Sequence, residues 1–93
     1  MSSSYYDRYG KPIDLMAWAK LHNNAKYKIV QQDRVLDMFL STVWLGLDHS
    51  FGSGPPLIFE TMLFNAGEEE YCERYSTLEE AKVGHTKKLG ELQ

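Results

Sequence analysis

Three side chains of this 93-residue chain that could move a proton, Asp48, His49 and Glu60, share one stretch, Thr42 to Phe64, where two apolar runs flank a loop of Gly, Ser and Pro that could hold an anion. Paired as a hairpin with Trp44 opposite Glu60, the runs carry Trp44, Gly46, Asp48, Ile58, Glu60 and Met62 on one face. Val43, Leu45, Leu47, Leu57, Phe59 and Leu63 share the other, which is the expected core side. Glu60 then stands among apolar groups beside a glycine that leaves room for something to approach. A carboxyl held there without a cation is a candidate general base, because desolvation disfavours the charged form. The same carboxyl in a salt bridge or capping a loop amide is structural, and structural carboxylates outnumber catalytic ones. A slip of one residue in register would carry Glu60 to the face of Val43 and Leu45 and dissolve the pocket.

Asp48 and His49 are adjacent, so a regular strand points them to opposite faces and they can converge only at the loop edge. Hydrogen bonds that hold the loop are the commoner use of such an Asp. Gly52-Ser53-Gly54 can offer several N–H groups to an anion, as phosphate-binding nests do, but it lacks P-loop spacing and no Lys-Ser or Lys-Thr pair follows it. Pro55-Pro56 more simply enforces an extended entry into the next strand. His22, His49, His85 and Cys72 contain no close ligand pair, so neither a metal nor another cofactor is expected. His85 lies on an apolar helical stripe and reads as a half-buried core histidine with one hydrogen bond. Trp18 and Trp44 have core positions as their default.

These groups need elements to position them. Tyr5, Tyr6 and Tyr9 precede Gly10-Lys11-Pro12, a short extended piece and a turn. Asp14 is an N-cap for a first helix over Leu15 to His22, where Leu15, Trp18, Ala19 and His22 recur at helical spacing. Lys26 to Val35 reads as a strand on Tyr27, Ile29 and Val30. Leu36-Asp37 turns the chain into a long central strand, Met38 to Asp48, with room for a bulge near Ser41. Leu57 to Phe64 is the next strand, the run from Asn65 to Glu70 is an exposed acidic loop, and Tyr71 to Tyr75 is a short strand. Ser76 with Glu79, or Thr77 with Glu80, makes a capping box for a second helix whose stripe is Leu78, Ala81, His85, Leu89 and Leu92. The fold class is α+β: a three- or four-stranded antiparallel meander with two helices packed on one face, in a single domain over residues 1–93.

Composition narrows the partners. At 43% hydrophobic and 25% charged the chain can fill a core, and with a net charge of -3 and pI near 5.5 it has no general attraction for nucleic acid or anionic lipid. No apolar run approaches the roughly 20 residues of a membrane-spanning helix. Cys72 alone cannot form an internal disulfide and no secretory signal opens the chain, so the expected location is the cytosol.

Three blocks, YYDRYGKPID, STVWLGLDHSFGSGPPLIFETMLF and RYSTLEEAKVGH, cover about half of the chain, and on them it resembles a family of small uncharacterised proteins of bacteriophages and prophages. The resemblance implies a phage origin and action in the cytoplasm of the bacterial host, and supplies no catalytic residues. The expected function is therefore a small non-enzymatic binding protein that engages and inhibits a bacterial host or defence protein. A second reading is a binder that sequesters a small nucleotide-like ligand at Trp44, with amides from Gly52 and Gly54 and with self-association enlarging the pocket. A third is a small hydrolase-like enzyme using Glu60, Asp48 and His49.

Overall fold

The computed structural model describes residues 4–49 and 54–93. Two short strands, β1 (Tyr5–Tyr6) and β2 (Pro12–Ile13), pair antiparallel around a turn that Asp7 holds by accepting the backbone N–H groups of Tyr9 and Lys11, each at 2.9 Å. Asp14 then caps α1 (Leu15–His22) by accepting the Ala17 N–H at 2.8 Å. Sequence pattern suggests a strand from Lys26, but Asn24 accepts from the N–H groups of Lys26 and Tyr27 and starts a single helical turn, α2 (Ala25–Lys28). The strand begins only afterwards, as β3 (Ile29–Val35), because a side-chain cap satisfies the local amides before a sheet neighbour can.

β4 (Met38–Trp44), β5 (Phe59–Asn65) and β6 (Glu68–Tyr75) complete a four-stranded antiparallel meander in the order β3-β4-β5-β6. The acidic run from Asn65 to Glu70 is mostly strand rather than loop. Ala66 and Gly67 form a tight turn with positive φ at 52° and 87°, the combination that primed hairpin turns need, and β6 starts at Glu68. The sheet's two irregularities lie between Ile29 and Gln31 and between Leu63 and Phe64; β4 runs regularly through Ser41. The final helix, α3 (Leu78–Leu92), opens with the Thr77–Glu80 register of the capping box, in which Glu80 also accepts the Ser76 N–H.

The register of the central hairpin differs from the expected one by a single residue: Trp44 stands opposite Phe59, and Glu60 opposite Val43. Every side chain of one strand thereby changes face relative to the other. The core side is the face of Leu40, Thr42 and Trp44 together with Phe59, Thr61 and Leu63, closed by Tyr75 from β6 and by Ala81 and His85 from α3. Trp18, Leu21 and Tyr27 pack against the Trp44 end of the same core, so the helices lie on one face of the sheet.

Candidate functional site

Glu60 lies on the face turned away from the helices, and its Oε2 accepts from Arg74 Nε at 3.1 Å. The two residues are register partners on β5 and β6, so the sheet itself sets the pair. Cys72 Sγ–H approaches the same oxygen at 3.5 Å, and burial followed by the Glu60 charge pushes the Cys72 thiol up from its ordinary value. Arg74 neutralises the carboxylate, and the solitary desolvated carboxyl that general-base chemistry would need is not formed here.

Trp44 is separated from Glu60 by the thickness of the sheet. It is fully buried, its Nε1–H donates to the Tyr6 carbonyl at 3.1 Å, and Tyr27 meets its ring edge-on with centroids 5.0 Å apart. Gly46 leaves room beside it, as its type suggested, but for the protein's own rings. At φ +71° a Cβ on Gly46 would collide with Trp44 and lie 2.8 Å from Trp18 Cδ1. Trp18 Nε1–H donates to the Leu45 carbonyl at 2.9 Å and fastens α1 to this corner. His22 stacks on Trp18 at 4.6 Å, and burial, then the Lys28 charge, lowers its pKa.

Asp48 accepts the Leu57 N–H at 3.1 Å, and the His49 N–H donates to the Leu57 carbonyl at 3.1 Å. Both therefore clamp the two ends of the connection between β4 and β5. Gly54 is exposed at φ +135°, and Gly52 lies outside the described residues. Of the expected site residues, Asp48 and His49 meet at the loop mouth, Trp44 is in the core, and Glu60 is on the opposite surface.

A constellation that sequence spacing did not reveal joins three elements. His85 on α3 is fully buried, with Nε2 at 2.7 Å from Asp33 Oδ2 of β3 and Nδ1 at 2.7 Å from Thr42 Oγ1 of β4; Thr42 in turn bonds Thr61 of β5. The ring Nε2–H donates to the Asp33 carboxylate, and Nδ1 continues the hydrogen-bonded line through the Thr42 hydroxyl to that of Thr61. A hydroxyl, an imidazole and a carboxylate in line have the connectivity of a hydrolase triad. Here the hydroxyl and the ring are both 0% exposed, so no substrate carbonyl can reach Thr42. The line works as a hydrogen-bonded plug that satisfies buried polar groups between helix and sheet. Among the described residues no group of three or more His, Cys, Asp or Glu is arranged to hold a metal.

What the fold leaves accessible is the second face of the sheet. Register pairing places Phe39, Ser41 and Val43 of β4 with Phe64, Met62 and Glu60 of β5 on that face, flanked by Arg34 of β3 and by Cys72 and Arg74 of β6. Phe39, Val43, Met62 and Phe64 are only partly buried there, against complete burial of Leu40 and Trp44 on the core side. The Arg34 guanidinium lies 5.1 Å from the centroid of the Phe39 ring, a cation–π contact at the rim of this patch. The signal in the sequence was the near-continuous apolar run of β4, which supplies apolar groups to both faces where alternation would supply one.

No protein-family model, curated protein or solved structure matches this chain in the comparisons made. Among the described residues no helix is long and apolar enough to cross a membrane.

Proposed function

We propose that this protein is a non-enzymatic binding module whose working surface is the open face of the sheet. The observation that carries the reading is the cluster of Phe39, Val43, Met62 and Phe64, held partly exposed on a rigid sheet and rimmed by Arg34, Arg74 and Glu60. An apolar centre with an Arg-bearing polar rim is the composition of a protein-binding patch. Catalysis finds less support, because Glu60 is neutralised by Arg74 and the Thr42–His85–Asp33 line is sealed at its hydroxyl. The small-ligand reading loses its aromatic wall, since Trp44 is enclosed.

The resemblance to bacteriophage and prophage proteins makes a bacterial protein the favoured target, met in the host cytoplasm and inhibited by occupation. The test is capture from bacterial lysate with the wild type, with Met62→Lys/Phe64→Lys on the open face, and with Val83→Lys on the exposed side of α3. A specific protein retained by wild type and Val83→Lys but lost by the open-face variant is the expected result. Recovery of no specific protein, or equal recovery by all three folded proteins, would sink the reading.

A further inference from the structure

The open face also carries a charge pattern that selects an occupant, and this inference rests on the reading of that face as a binding surface. One cross-strand row runs Arg34, Phe39, Phe64, Glu69, from the outer strand β3 to the outer strand β6. Its centre is two aromatic rings and its ends carry opposite charges. A two-fold rotation about an axis parallel to the strands, passing between β4 and β5, lays this row on its own reverse. Phe39 then meets the partner subunit's Phe64, and Arg34 meets the partner subunit's Glu69. The next row, Gln32, Ser41, Met62, Cys72, sets uncharged groups against one another under the same operation. These two rows have the self-complementarity that an isologous interface requires, while the third, Val43, Glu60 and Arg74, brings its carboxylate already paired within the chain.

We infer that a second copy of this chain docks face to face on the open sheet and forms a symmetric dimer held by aromatic contacts and two Arg34–Glu69 pairs. Aligned sheets cross at about 30°. At the outer strands, roughly 7 Å from the axis, that crossing displaces groups by about 4 Å, within the reach of Arg and Glu side chains. Four strands and seven residues span roughly 19 by 23 Å, so the two faces bury on the order of 900 Å², the weak end of specific interfaces. The dimer is therefore reversible and concentration-dependent, and a target protein that uses the same face competes with it.

Sedimentation equilibrium of the purified protein at low salt tests this without any target. The wild type should rise from the single-chain mass of 10.7 kDa towards twice that value between about 10 and 500 μM. Arg34→Glu and Glu69→Arg, both on exposed side chains, should each remain monomeric, since each sets like charges together at both ends of the row. An equimolar mixture of the two variants restores both opposite pairs and should dimerise, as should the doubly exchanged Arg34→Glu/Glu69→Arg protein. A wild type that stays monomeric throughout overturns the inference while leaving the lysate result standing. A dimer indifferent to both single variants, or variants that do not complement on mixing, overturns it equally, because the contact then lies elsewhere or in another register.

Discussion

The imidazole Nε2 of His85 sits 2.7 Å from a carboxylate oxygen of Asp33, 52 positions earlier in the chain, and this contact ties the last helix to the first long strand. Its other nitrogen reaches Thr42 on the neighbouring strand, so one buried ring spans three elements. Alternative placements of α3 on the sheet would bury the imidazole without either of these partners.

His85→Ala should therefore lower the stability to urea unfolding by about 3 kcal/mol, the sum of a cavity and of the lost hydrogen bonds to Thr42 and Asp33. Replacing all the buried polar partners together, as Thr42→Val/Thr61→Val/His85→Leu, should recover most of that loss, since apolar groups of similar shape leave nothing unsatisfied. A triple variant less stable than the single one would contradict this account.

The pH dependence follows from Asp33. The hydrogen bond from His85, then that from Gln31, holds its carboxyl below the ordinary value. The unfolded chain then binds a proton more readily, so the contribution to stability is complete above about pH 3.9 and is lost as the pH falls through the lower folded value. His22, lowered by burial, acts in the same direction from about pH 6.5 downwards. Thermal melts from pH 7 to 3 should show the wild type losing stability in both windows. Asp33→Asn, though less stable at pH 7, should have a flatter curve below pH 4.

Two glycines of α3 should respond oppositely to alanine. A Cβ on Gly90 meets nothing within 4 Å, and Gly90→Ala should stabilise by about 0.5–1 kcal/mol through helix propensity. A Cβ on Gly84 would overlap the Tyr75 hydroxyl and lie 2.6 Å from Tyr75 Cε1, so Gly84→Ala should destabilise by about 1–3 kcal/mol. Among the described residues the buried Tyr75 hydroxyl makes no hydrogen bond of proper geometry, so Tyr75→Phe should be close to neutral, and because ring carbons Cζ and Cε1 stay 2.5 and 2.6 Å from the added Cβ it should not rescue Gly84→Ala. Chemical unfolding of the four variants would expose any failure of this order.

Local patterns carried the fold a long way. The Asp14 cap, the α1 span, the capping box of α3 and the antiparallel meander were all legible, because caps and periodicity act over a few residues. The hairpin register was not, since β4 is apolar at Phe39, Leu40, Val43 and Trp44 and so offers no alternation to set its face. One cue was present. The observed pairing sets Leu40 against Leu63 and Thr42 against Thr61, like with like, whereas the expected register mixes them. The acidic start of β6 hid a strand because an edge can carry charge that an inner strand cannot. The His85 line was illegible for a different reason: its members come from three elements, and only tertiary packing fixes which of them meet.

The meander also sets an order of events during self-assembly of the chain. Its hairpins β3–β4 and β5–β6 close across two-residue turns and the central one across fourteen residues, whereas the α3 contact with β3 closes a loop of some fifty. Loop-closure entropy rises with length, so the sheet should be largely paired in the folding transition state while α3 still samples open positions. Until it docks, Thr42 and Thr61 face water and the apolar groups of both sheet faces are exposed at once. The last helix thus acts as the kinetic latch of the molecule, and weakening it should accelerate unfolding far more than it slows folding.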